Sequence, residues 1–311
     1  MEHDKSYKLL FSHAEMVEDL LRGFVPEGWA SQMDFSTLEK YPGSYVSDGL
    51  DKREDDVVWR LRCGGDWTYV YLLIEFQSSV DHFMALRVMA YLALFYQDLV
   101  RAEKLVAGDR LPPVLPIVLY NGRPRWTAAQ DIADLLAPAP KWLEPFAPCL
   151  KYFLIDEGRY AESELAELKN LAAALFRLEN SRTPQDVQQV LEALVEWLKM
   201  PEQSSLRRAF TTWLKRVLLP GRLPGVDFEA LNELQEVKSM LAERVVEWTE
   251  EWRKQGEAKG EANLLERQLK LRFGNLNEAV RLRLAQADAE TLLRWGERIF
   301  QASSAEEVVK D

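Results

Sequence analysis

The chain has 311 residues, 47% of them hydrophobic and 29% charged, a balance that excludes a disordered chain. Fifty Asp and Glu against 39 Lys and Arg leave a net charge of −11, which argues against a protein that coats nucleic acid through positive charge alone. It does not exclude a nucleic-acid enzyme, because the acidity is local: residues 1–100 hold 17 acidic and nine basic side chains, residues 201–311 hold 19 and 18.

In chain order, Leu9, Leu10, Phe11, Met16, Val17, Leu20 and Leu21 recur at helical spacing and predict one helix from Lys5 to Phe24, closed by Gly23 and Pro26. A turn-rich stretch runs through Tyr41-Pro42-Gly43-Ser44. Two β-like runs, Asp56–Cys63 and Trp67–Gln77, flank Gly64-Gly65-Asp66, which is a hairpin signal. A long helix is expected from His82 to Val106, apolar around most of its circumference and therefore inside the core. Pro112 to Tyr120 reads as a buried strand stopped by Asn121-Gly122, and Lys151–Ile155 as a short one.

Beyond Tyr160 the pattern turns helical, with segments near 161–179, 185–199 and 203–219. A charge-mixed helical stretch follows from Phe228 to Leu271, weakened at Gly256 and Gly260 by about 1 kcal/mol each relative to Ala. A small helical unit closes the chain between Leu264 and Val309. The expected organisation is an α/β core over 1–160, a helical extension with a long charged helix over 161–255, and a helical C-terminal domain over 256–311.

Cys63 and Cys149 match no zinc spacing or disulfide framework, and His3, His13 and His82 have no metal-ligand spacing. No Gly-rich phosphate loop appears, so no nucleotide cofactor is expected. The polar start is no signal peptide, and no apolar run approaches the ~18 residues of a membrane span. A cytoplasmic protein without a membrane partner is expected.

The chemistry concentrates on the hairpin. On a strand, Glu75 and Gln77 share a face, while Ile74 and Phe76 take the other. A carboxylate at the edge of a buried face needs a cation, a donor or a raised pKa. Asp56, across the hairpin, can bring a second oxygen ligand to the same point, and two carboxylates with a carbonyl and waters suit Mg²⁺. The same residues also read as a strand end beside the solvated loop Lys52-Arg53-Glu54-Asp55. Spacing alone does not choose between the two.

The runs Asp56-Val57-Val58-Trp59 and Ile74-Glu75-Phe76-Gln77-Ser78-Ser79 resemble the recombination-promoting nuclease family (also described as "putative transposase"), of the PD-(D/E)XK restriction-endonuclease-like superfamily. His3-Asp4, Tyr7-Lys8 and Leu10-Phe11 look like its opening, Phe83 to Tyr91 like its long helix, and Pro113 to Gly122 like the next strand. The order of these landmarks matches over most of residues 1–200. Leu269 to Gly274 and the helices after it look like a helical domain of unknown function often appended to such nucleases.

The resemblance implies a restriction-endonuclease-like α/β core followed by a mainly α-helical C-terminal half. It also implies a metal-dependent DNA endonuclease with Asp56 and Glu75 as ligands for Mg²⁺, or Mn²⁺ in its place. Gln77 stands where the superfamily usually has Lys, so it can orient a water by hydrogen bonds but brings no positive charge. Glu18, and beside it Glu15, on the first helix are candidates for an extra acid. Arg87, Arg123 and Arg125 are candidates for DNA-phosphate contact, which an acidic chain must assemble locally or draw from a second subunit in a homodimer. The alternatives are a transposase with a three-carboxylate site and a catalytically inactive DNA-binding or protein-interaction module that keeps the fold.

Overall fold

The computed structural model describes residues 2–41, 56–75, 80–122, 124–223, 226–243, 260–299 and 301–310, with the backbone alone at 2–4, 56, 73–75 and 289. Its centre is a five-stranded mixed sheet in the order β1 (Met33–Lys40), β2 (Asp56–Cys63), β3 (Asp66–Glu75), β4 (Val114–Tyr120), β5 (Phe153–Asp156). β2 is antiparallel to both its neighbours, β1 and β3, whereas β3, β4 and β5 run parallel. The expected hairpin is β2–β3. Its turn is Gly64-Gly65, at φ 61° and 99°, conformations that a two-residue hairpin turn demands and that glycine adopts without a Cβ clash. The return from β3 to its parallel neighbour β4 is made through the helix α4 (Met84–Ala102).

Alternation along the strands sorts their side chains onto two faces. Val57, Trp59, Leu61, Val70, Leu72, Ile117, Leu119 and Ile155 face one way, into a core completed by α1 (Glu2–Leu10), α2 (Ala14–Phe24) and the helices after the sheet. Those helices are α5 (Glu162–Leu168), α6 (Leu171–Asn180), α7 (Pro184–Trp197), α8 (Ser204–Trp213), α9 (Leu219–Arg222) and α10 (Leu234–Glu243), with α3 (Glu27–Ala30) a single turn before β1. This core runs unbroken from Tyr7 to Leu241, so the helical extension and the sheet pack as one unit. On the opposite face Val58, Tyr69, Tyr71 and Val118 meet α4. The C-terminal helices, α11 (260–273), α12 (Glu278–Gln286), α13 (Ala289–Arg298) and α14 (Ala305–Val308), enclose a third core from Leu265 to Val309.

Three expectations are corrected. The helix expected over 5–24 is two helices, because Ser12 and His13 turn their side chains back on the carbonyls of Lys8 (2.6 Å) and Leu9 (3.0 Å) and end α1. The stretch 161–179 likewise breaks. Lys169 adopts a left-handed φ of 49°, and Asn170 caps α6 by accepting from the backbone N–H of Ala173 at 2.7 Å. The helix at 82–106 is not buried all round: Met84, Ala85, Val88, Leu92, Phe95 and Leu99 form one buried stripe, while Phe83, Leu86 and Val100 are exposed. The stretch between the first helices and the hairpin, open to loop or strand from sequence, contains the edge strand β1, whose register shifts between Asp34 and Glu39. Gly256, where the helical stretch was expected to weaken, lies outside the described residues.

Candidate active site

The mixed topology collects the strand termini that carry the acids. β1 ends at Lys40, β3 at Glu75, β4 at Tyr120 and β5 at Asp156; β2, antiparallel to its neighbours, begins at Asp56 on the same rim. Asp56 pairs with Leu73, Glu75 with Tyr120, and Tyr120 with Asp156. Period-two alternation therefore places positions 56, 73, 75, 120 and 156 on one face, the face of Val58, Tyr71 and Val118 that α4 covers. Asp56 and Glu75 are described at the backbone; Gln77 lies outside the described residues. Among the described residues, no group of three or more His, Cys, Asp and Glu side chains is arranged to hold a metal ion.

On the α4 side of the rim, the first turn of that helix brings Arg87, half-buried, with Nη1 donating to Asp81 at 3.1 Å. Asp81 also accepts from the backbone N–H of Phe83 at 2.9 Å, which fixes the start of α4. The Tyr120 hydroxyl donates to the carbonyl of Pro124 at 2.8 Å, and a Cβ at Gly122 would collide with its ring, so the Asn121-Gly122 turn needs glycine there. Trp126 stacks edge-on against Tyr120 and donates from Nε1 to the Tyr152 hydroxyl at 3.0 Å. Burial pushes the Tyr152 hydroxyl up to about 12. Asp156 is buried but already occupied, accepting from the backbone N–H groups of Trp126 (3.3 Å) and Gly158 (3.2 Å).

The other side of the rim is closed by α1. Trp59 Nε1 donates to the carbonyl of Phe11 at 3.0 Å, tying the helix to β2. At the far edge the Tyr7 hydroxyl lies 3.2 Å from Glu157, just past β5, and 3.0 Å from Glu179 at the end of α6. Burial first, then the mutual charge, raises Glu157 well above the carboxylate range, and burial pushes Glu179 up to about 7. A cavity of about 730 Å³ adjoins this cluster, lined by Asn121, Glu157, Glu179, Asn180 and Arg222, with Asn263 and Arg281 of the C-terminal unit. Sequence reasoning did not find this pair, because its members stand far from Tyr7 in the chain and neither carries a local signature.

The remaining candidates fall elsewhere. Glu18 accepts from Arg22 Nε at 2.8 Å on α2, and that guanidinium lies 4.0 Å over the ring of Phe35, toward the start of β1 and away from the rim. Glu15, in the first turn of the same helix, is exposed. Arg125 is exposed on the loop after β4, and Arg123 lies outside the described residues.

These features define a class: an α/β protein whose mixed sheet gathers paired acidic positions at one strand-end rim, followed by a helical half. The chain belongs to the family described as "Putative transposase, YhgA-like", which matches residues 1–208. It is 32% identical over 120 residues to recombination-promoting nuclease RpnC of Escherichia coli (strain K12), covering 39% of each chain. RpnA of the same strain is 31% identical over 121 residues, 39% of this chain and 40% of its own. A third relative there, at 31% identity over 120 residues and 39% of each chain, is named inactive recombination-promoting nuclease-like protein RpnE. The match thus spans about two fifths of the length of these curated relatives. No solved structure matches. No described helix is long and apolar enough to cross a membrane.

Proposed function

We propose that this protein is a metal-dependent endodeoxyribonuclease of the PD-(D/E)XK type, hydrolysing phosphodiester bonds of DNA in recombination. The observation that carries the reading is the register: β2–β3 and β3–β4 pairing bring positions 56 and 75 to one face at one end of the sheet. Two carboxylates are hard oxygen donors, which fit Mg²⁺ or Mn²⁺ and not the softer ions that thiolates select. Asp56 and Glu75 would hold the ion, which when bound polarises the phosphate and lowers the pKa of a water. Gln77 would orient the attacking water, and Arg87, at the same rim, together with Arg123 and Arg125, would meet neighbouring phosphates. A homodimer would let two such rims act on the two strands of a duplex.

The test is cleavage of supercoiled plasmid and single-stranded DNA with Mg²⁺, Mn²⁺ or EDTA by the wild type, Asp56→Ala and Glu75→Ala. Cleavage by the wild type is expected with either metal and not in EDTA. Each variant should lose at least about 100-fold, a few kcal/mol of transition-state stabilisation, with an unchanged melting temperature. Equal cleavage by all three proteins overturns the reading. A second reading, a DNA-binding module without activity, is favoured by the relative named inactive. It expects DNA binding that neither metal nor the two substitutions alters.

A further inference from the structure

A helix that packs one face on a sheet ordinarily turns polar side chains to water with the other. The helix α4 does not. From its N-cap residue Phe83 to Val100, the exposed residues are Phe83, Leu86, Ala90, Ala93, Gln97 and Val100, five of them apolar and none charged. Steps of three and four residues alternate strictly along this row, which is the seam of a helix that pairs with another helix. We propose that the seam is a self-association surface, on which α4 of a second copy of the chain lies antiparallel. It gives the homodimer of the nuclease reading its contact face, and rests on that reading only for the use to which a dimer is put.

The seam fits its own copy. With the two-fold axis between Ala90 and Ala93, antiparallel packing sets Phe83 against Val100 of the second copy, Leu86 against Gln97 and Ala90 against Ala93, and the symmetry makes each contact twice. The largest side chain thus meets a small one, and the alanines nearest the axis let the two backbones approach closely. Close approach also brings in Met89, Leu94 and Tyr96, which flank the seam and are half-buried. Gln97 is the one polar member. It faces Leu86 of the second copy with Arg87 beside it, a donor for its amide oxygen, and a single polar seam position fixes the register.

The charges lie toward the ends of the seam, as on the rim of an interface. Arg87 pairs with Asp81 at 3.1 Å, and Arg101 with Asp98 at 3.5 Å. Antiparallel packing brings the exposed Arg101 beside Asp81 of the second copy and sets the two helix dipoles head to tail; parallel packing opposes Arg101 to Arg101 and dipole to dipole. An uncharged seam offers DNA phosphates nothing, so the nucleic acid is not its occupant. The water-exposed apolar surface is substantial, with Phe83 56% exposed, Leu86 47% and Val100 41%. A helix of this length presents a face about 28 Å long. One such face per copy stands at the low end of specific interfaces, on the order of 600 Å² per partner, which suits a dimer that dissociates in the micromolar range.

The experiment is sedimentation equilibrium of the full chain from about 1 to 100 μM, where mass action should carry the wild type from monomer to dimer. Ala90→Glu combined with Ala93→Glu buries like charges at the axis and should raise the dissociation constant at least about 100-fold. Both positions are exposed on a helix, so circular dichroism and the melting temperature of the dilute monomer should not change. Ala90→Lys combined with Ala93→Glu decides the orientation. Antiparallel packing sets each new lysine against a glutamate of the second copy and keeps the dimer, whereas parallel packing sets like charges together and breaks it. Should these variants lose their fold, disulfide trapping with diamide carries the test in a Cys63→Ser, Cys149→Ser background. A mixture of Phe83→Cys and Val100→Cys chains should then cross-link to each other, and neither to itself. A wild type that stays monomeric throughout overturns the interface and leaves the face to another partner; a dimer that Ala90→Glu with Ala93→Glu does not disturb overturns it by placing the contact elsewhere. DNA cleavage is read separately: a dimer that does not cleave sinks the nuclease reading alone, and a monomer that cleaves sinks the interface alone.

Discussion

Two pairs of acids meet the same end of the sheet, and the fold brings them there in different ways. Asp56 and Glu75 sit at register positions on neighbouring strands, one opening β2 and the other closing β3. Glu157 and Glu179 come from different layers and converge on a single hydroxyl, that of Tyr7. One phenol has one proton to give, so two ionised carboxylates cannot both be satisfied by it in a buried place. Burial raises both acids, which favours a proton on the pair. Two acids gathered on one hydroxyl make a structural joint, here fastening α1 to the residue after β5 and to α6. Acidic residues close in space are therefore not enough. A metal site needs carboxylates that the fold has left ionised.

The largest expected effect sharpens this contrast through pH. Glu179 titrates at about 7 in the folded chain against an ordinary glutamate value of 4.5. Its neutral form is the favoured one when folded, so its contribution to stability is fully present below about pH 4.5 and is lost as pH rises through about 7. The size is on the order of 3 kcal/mol for a shift of this kind. Glu179→Gln mimics the protonated state and removes the dependence. Urea denaturation of both proteins should give similar stabilities at pH 4.5, with the variant the more stable at pH 8. A wild type that gains stability relative to the variant over that range would show that Glu179 is ionised in the fold.

A smaller loss follows from removing the shared donor. Tyr7→Phe keeps the ring that packs against Phe11 and Trp213 but deletes the hydroxyl. Leaving a buried carboxyl without its partner costs roughly 1–3 kcal/mol. The loss should be greater at pH 8 than at pH 5, because a neutral carboxyl is left without its donor at less cost than an ionised one. Denaturation at the two pH values checks it, and an equal loss at both would point to packing alone.

How much of this was legible in the chain depends on how locally each feature is encoded. The β2–β3 hairpin was, since Gly64-Gly65 lies between two β-rich runs, and with it came Asp56 and Glu75, brought together by that one turn. The strand β4 was too, as a short apolar run ending at Asn121-Gly122. Pro116 is tolerated there because β5 joins only from Ile117 onward. The edge strand β1 was not: Met33–Lys40 has few apolar residues, buries Phe35 and little else, and shifts register, so no alternation survives. The outward face of α4 misled for the opposite reason, with Leu86 and Val100 apolar yet exposed. The Tyr7 cluster could not be read at all, since it is a purely tertiary meeting of α1, β5 and α6.

The smallest effect tests the same contrast on an acid that is neither buried nor on the rim. Glu18 is paired with Arg22 one turn along α2, both side chains substantially exposed. Solvent screens such a pair, and i,i+4 partners on a helix contribute about 0.3–0.5 kcal/mol. Glu18→Gln should therefore cost no more than that in urea denaturation, with the difference shrinking at high salt. The substitution should also leave divalent-metal affinity, measured by calorimetry, at the wild-type value, because the Arg22–Phe35 contact holds this helix face toward the start of β1. A clear loss of metal affinity would mean that α2, and not only the strand rim, contributes an acid to the ion. Glu18 would then belong with Asp56 and Glu75, and the separation drawn between the rim and the helices around it would have to be redrawn.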